Sequence, residues 1–181
     1  MRELSLHILD VAQNSISAEA TVIELEINEN IKKDLLTIKI SDNGKGMDED
    51  TASKVVDPFY TSRTTRKVGL GIPMFKSNAE MCDGTFELRS TLGVGTEVFV
   101  SFKYSHIDRV PLGNMPETIM ALVMSDLRTD IYYKHIFNNK EFVFSTREIK
   151  KVLGHDVPLS EVEVLLWIKE YVEEGLKELK I

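Results

Sequence analysis

Apolar positions change their period early in the chain. Between Arg2 and Ala18, Leu4, Ile8, Val11 and Ala12 recur at helical spacing, and Leu6, Leu9 and Ile16 widen the same face. The period then drops to two. Val22 to Ile27 alternates apolar with polar, and so does Leu36 to Ile40, which predicts two strands joined by the polar stretch Glu29 to Asp34. Ser41-Asp42-Asn43-Gly44-Lys45-Gly46 ends the second strand in a turn-rich loop, and Asp48 is a good cap for a short helix.

Pro58 to Gly71 has no period and carries Arg63, Arg66 and Lys67, so it reads as a loop. A helix starts near Ile72, with Pro73 in its first turn and Gly84 at its end. Thr85 to Ser90 and Thr96 to Phe102 are strands joined through Leu92-Gly93-Val94-Gly95. His106 to Met115 reads as a linker. Beyond it come a helix (Pro116 to Ser125), a hairpin around Asn138-Asn139, a helix from Thr146 to Leu153 and a last helix from about Ser160 to Leu179. The expected class is α+β. A two-layer α/β sandwich, helices over an antiparallel-rich sheet, occupies residues 1–103, and a helix-hairpin-helix extension follows over 104–181.

The chain has 181 residues, 43% of them hydrophobic, enough for a core without covalent staples. Its net charge of −7, with neither half basic, argues against nucleic acid or an anionic membrane as the main partner. No apolar run is long enough for a membrane span and no leader opens the chain, so the expected location is cytoplasmic. A single cysteine, Cys82, excludes an internal disulfide and a thiolate zinc cluster.

Four clusters carry candidate chemistry. Asp10 and Asn14, four apart on the opening helix, share one face; a carboxylate beside an amide can orient a water and complete the shell of a hard cation. Asp42-x-Gly44-x-Gly46 leaves a strand, where a carboxylate can accept from an exocyclic amine and glycines let the backbone approach a flat ring. Gly69-Leu70-Gly71 enters a helix whose free N–H groups suit phosphate oxygens, with Arg66 and Lys67 as cations able to close over them. Gly93-x-Gly95-Thr96 is a turn feeding a strand. Each has a plainer counterpart: a solvated helix face, a tight turn, a nonspecific anion patch, a simple hairpin. Their order along the chain is what singles them out.

Together they resemble the GHKL ATP-binding superfamily, which takes in DNA gyrase, Hsp90, histidine kinases and MutL. Leu6-His7-Ile8-Leu9-Asp10-Val11-Ala12-Gln13-Asn14-Ser15 is similar to its N box, and Ile40-Ser41-Asp42-Asn43-Gly44-Lys45-Gly46-Met47 to its G1 box. Asp57-Pro58-Phe59-Tyr60-Thr61 resembles the F box of histidine kinases, Val68-Gly69-Leu70-Gly71-Ile72 the G2 box, and Gly93-Val94-Gly95-Thr96 the closing element. The resemblance covers residues 3 to about 103 and implies the Bergerat fold with ATP and Mg²⁺ as ligands. It implies that Asn14 helps hold the metal and Asp42 binds the adenine amino group. Gly44 and Gly46 would shape the adenine slot and Thr96 would contact the base. Gly69, Leu70 and Gly71 would meet the phosphates under a lid carrying Arg66 and Lys67.

The chain departs from the hydrolysing gyrase and MutL branches by carrying Asp10 where they usually place glutamate. Aspartate is a methylene shorter, its carboxylate sits roughly 1.5 Å further back, and such a displacement can cost about a hundredfold. Only a dozen or so residues precede Asn14, so no phosphoacceptor domain is expected ahead of it, and His7, His106, His135 and His155 read as structural or solvated. The first expectation is therefore a histidine-kinase-like kinase or ATPase that phosphorylates a separate protein, as anti-sigma-factor kinases do. Alternatives are an ATP-responsive regulatory module with slow or no hydrolysis, and an ATPase clamp. From Ser160 to Lys180 the chain carries six glutamates against three lysines and would repel nucleic-acid phosphates. Its stripe of Val162, Leu165, Ile168, Val172, Leu176 and Leu179 is expected to pack on the sheet, with a partner or homodimer surface as the alternative.

Overall fold

The structure is a computed structural model and describes residues 3–59 and 70–181. The opening periodicity forms α1 (Leu4–Ser17), and the two alternating runs form β1 (Val22–Asn30) and β2 (Leu35–Asp42). Asp48 caps α2 (Glu49–Val55) by accepting from the Thr51 N–H at 2.8 Å. Then follow α3 (Gly71–Met81), β3 (Phe86–Thr91) and β4 (Gly95–Lys103). The chain continues with α4 (Met115–Ser125), β5 (Asp130–Phe137), β6 (Lys140–Ser145), α5 (Thr146–Leu153) and α6 (Val162–Leu179).

The strands form one sheet in the order β3-β4-β2-β1-β5-β6. All neighbours are antiparallel except β1 and β5, which run parallel with Ile23 opposite Ile131 and Ile27 opposite His135. The sheet is therefore continuous across the 103/104 boundary. Alternation then sorts the two faces. Ile23, Leu25 and Ile27 of β1, Ile38 and Ile40 of β2, Val98 and Val100 of β4 and Ile131 of β5 point to the helices and are buried. They meet Leu4, Ile8 and Ala12 of α1, Phe75 of α3, Ile119 and Leu122 of α4, and Ile168 and Val172 of α6.

Two local features differ from the sequence reading. Glu29 belongs to β1 rather than to a polar connector, and it is buried because His135 and Tyr104 hydrogen-bond its carboxylate. At the end of α3 the left-handed position falls on Asp83 (φ 55°), while the Gly84 N–H returns to the Ala79 carbonyl at 2.8 Å. The segment read as a linker has a defined job. No side chain caps α1, and the Leu4 and Ser5 N–H groups donate instead to the Pro111 and Leu112 carbonyls at 3.0 and 2.7 Å. Among the described residues, no helix is long and apolar enough to cross a membrane.

Candidate functional site

Asp42 is the last residue of β2, and the β2–β4 register sets it opposite Thr96. Its carboxylate is fixed at both oxygens: Ser15 donates its hydroxyl to Oδ2 at 2.6 Å, and the Gly44 N–H donates to Oδ1 at 2.8 Å. The Ser15 hydroxyl comes from the α1 turn that carries Asn14, so the helix and the strand end are locked at this point.

The loop after Asp42 is pinned on both sides. The Lys45 N–H donates to the Ala18 carbonyl at the end of α1, and the Gly93 N–H to the Lys45 carbonyl. Asn43 accepts the N–H groups of Thr21 and Val22. Gly46 sits at φ +68°, and a Cβ there would lie 2.1 Å from the Thr91 carbonyl oxygen, so only glycine fits. Beside it, Ser90 bonds the Thr96 hydroxyl at 2.7 Å and accepts from the Met47 N–H at 2.8 Å. Sequence reasoning missed Ser15 and Ser90. Ser15 directly follows Asn14, and Ser90 is the register partner of Thr96, a relation that only the strand pairing shows.

The third group gathers around Asp10. Gly71, the first residue of α3, packs so closely that a Cβ on it would lie 2.0 Å from Asp10 Oδ2. The first N–H groups of α3 have no partners within the helix, and they open beside this carboxylate. One turn on, the Nδ2 atom of Asn14 is buried and, among the described residues, has no hydrogen-bond partner. Asp10 and Asn14 line a cavity of about 330 Å³ that Ser125, at the end of α4, helps to close. A carboxylate, an unsatisfied amide and a helix N-terminus together suit a hard cation bridged to phosphate oxygens. Leu70 is exposed at the head of α3. Arg66, Lys67 and Gly69 lie outside the described residues, as does the loop from Tyr60 onward.

His7 is part of the core. It is fully buried, stacks on Phe75 with ring centroids 5.4 Å apart, and its Nε2 lies 3.1 Å from the Asn78 amide. Burial lowers its pKa to about 4, so the ring is neutral at physiological pH.

Comparison with known proteins gives the family and the fold. The family described as histidine kinase-, DNA gyrase B- and HSP90-like ATPase matches residues 2–106. The chain is 29% identical over 94 residues to the sensor histidine kinase YvrG of Bacillus subtilis (strain 168), a match covering 50% of this chain and 16% of that protein. It is 36% identical over 89 residues to the sensor protein kinase FleS of Pseudomonas aeruginosa, covering 49% of this chain and 22% of that protein. The chain thus spans less than a quarter of either relative. Its fold is similar to that of the Aquifex aeolicus MutL ATPase domain complexed with ADP, at a TM-score of 0.56 and 17% identity over 84% of this chain and 69% of that one. With a family match over more than half its length, the chain belongs to the histidine kinase-, DNA gyrase B- and HSP90-like ATPases.

Proposed function

We propose that the chain binds Mg·ATP in the cleft between α1, the end of β2 and the head of α3, and transfers the γ-phosphoryl group to a separate protein. The observation that carries this reading is the Asp42 carboxylate, held by Ser15 and Gly44 opposite Thr96, where it can accept from the adenine amino group. Thr96 contacts the base. Gly71 and Leu70 meet the phosphates at the head of α3. Asn14 holds the cation through its amide. Bound Mg²⁺ neutralises the charge that builds on the phosphates. In the transfer the bond from the γ-phosphorus to the bridging oxygen breaks, a bond to the acceptor atom forms, and ADP leaves. Asp10 sits where it can take the proton that the acceptor or a water gives up.

A second reading, an ATP-responsive module with slow hydrolysis, is favoured by Asp10 itself. Its short carboxylate rests against Gly71, at the edge of where a longer glutamate would reach. Labelled γ-phosphate separates the two readings: label on a partner protein supports transfer, and binding without turnover supports the regulatory module.

The first test is thermal melting with Mg·ATP. At a hundredfold excess over the dissociation constant, binding stabilises by about 2.7 kcal/mol. Asp42→Ala is expected to abolish that shift and leave the apo protein folded. An unchanged shift in the variant would overturn the assignment of the adenine site.

A further inference from the structure

We propose that the outward face of α6 is a docking surface for a basic amphipathic segment of another protein, whose arginine or lysine lies over the Trp167 ring beside Glu163 and Glu170. While Leu165, Ile168 and Val172 face the core, Leu166, Trp167 and Tyr171 stay 56%, 46% and 40% exposed. Trp167 and Tyr171 stack with centroids 5.1 Å apart and planes 19° apart. Tyr171 is in turn held from beneath by Phe142 and Phe144 of β6, at 5.6 and 6.3 Å. The aromatic pair is thus a rigid, preorganised platform rather than two loose side chains. Aromatic anchors of this kind dominate interface energetics.

Charge decides the occupant. Glu163 and Glu170 lie one turn before and after Trp167, and Glu174 lies one turn after Tyr171; all three are exposed. Among the described residues none of the three has an ion-pair partner, whereas Lys169 is paired with Glu117 at 3.3 Å and Lys177 with Glu173 at 3.6 Å. The exposed apolar strip is therefore framed by uncompensated carboxylates. A second copy of a chain with net charge −7 would set like charges against them. A cation over an aromatic face, flanked by carboxylates, satisfies both halves of the surface. The strip lies by β6, an edge strand, while Asp42 ends β2, and β1 and β5 stand between. A partner docked here leaves the nucleotide cleft open, and the proposal stands independently of the nucleotide reading.

The test uses the full chain and a fluorescently labelled helical peptide with leucines on one face and arginines on the other. Trp167 is the sole tryptophan and reports contact directly. Expected is a saturable change in Trp167 emission and in peptide anisotropy. Affinity should fall about tenfold or more in Glu170→Lys/Glu174→Lys, with the melting temperature and the Mg·ATP shift unchanged. Trp167→Ala, followed by anisotropy alone, should weaken binding as well. Four results would each overturn the proposal: no saturable binding; equal affinity for a peptide with glutamates in place of arginines; undiminished affinity in the double variant, which would mean general attraction to net charge; or sedimentation showing a dimer in which Trp167 is already covered.

Discussion

At the residue scale, the Asp42 carboxylate has its directions set before any ligand arrives. Ser15→Ala removes the hydroxyl on Oδ2, and ATP binding is expected to weaken about tenfold, the worth of one hydrogen bond to a charged group; calorimetric titration checks it. Gly71→Ala introduces a methyl against the mobile end of Asp10. The side chain can swing away, so the melting temperature should change little. Turnover should fall by about a hundredfold as the carboxylate leaves its place. His7 contributes to acid sensitivity. The unfolded ring takes a proton near 6.5 and the folded ring resists until about 4. Within that window the unfolded state binds more protons, so stability is lost as pH falls. At 1.36 kcal/mol per pH unit the loss approaches roughly 3 kcal/mol. Urea midpoints measured across this window should show a flatter profile in His7→Leu. The candidates Asp10, Asn14, Asp42 and Thr96 stand out in the sequence because each sits in a short ordered pattern. Ser15 stands at the end of one such stretch without a spacing that marks its hydroxyl, and Ser90 lies in none, its place beside Thr96 following from strand pairing.

At the element scale, helices and strands were legible wherever period and caps agreed. Asp48 announces α2, and Asn138-Asn139, with φ of 47° and 72°, adopts the left-handed turn that asparagine tolerates. Asp48→Ala is expected to cost about 1 kcal/mol through loss of that cap. What periodicity cannot encode is which strand lies beside which. Glu29 reads as loop because it is charged, yet it ends up at a junction of β1, β5, the segment after β4 and the C-terminal end. His135 bonds its Oε1 at 2.6 Å, Tyr104 its Oε2 at 3.0 Å, and Lys180 approaches at 3.2 Å; Tyr133 bonds the far nitrogen of His135. Burial alone would raise the Glu29 carboxyl, but His135 and Lys180 outweigh it and hold the group well below the usual carboxylate range. Its stabilising contribution is present above the ordinary value of 4.5 and is lost as pH falls below that. Glu29→Ala leaves the buried His135 and the half-buried Tyr104 without their acceptor. It is expected to destabilise by about 3–5 kcal/mol in urea denaturation.

At the scale of the whole molecule, the second half of the chain completes the first. Pro111 and Leu112 satisfy the head of α1, α4 covers its flank, and β5 runs the length of β1. A truncation to residues 1–103 would uncap the helix that carries Asp10 and Asn14 and bare the whole side of β1. Such a fragment is expected to be poorly soluble and to show no ATP-dependent melting shift, as dye-monitored melting would reveal. The family resemblance made the first hundred residues legible as a unit. The dependence on the second half was hidden because a crossover to a parallel neighbour leaves no local trace in the sequence. The β1–β5 pairing has a further consequence in the cell. During synthesis the ribosome releases β1 more than a hundred residues before its partner, and for that interval the nascent chain displays a bare strand edge of the kind that invites aggregation. A competent nucleotide cleft is therefore a late event in translation, and slowing elongation should increase the chaperone requirement of this protein.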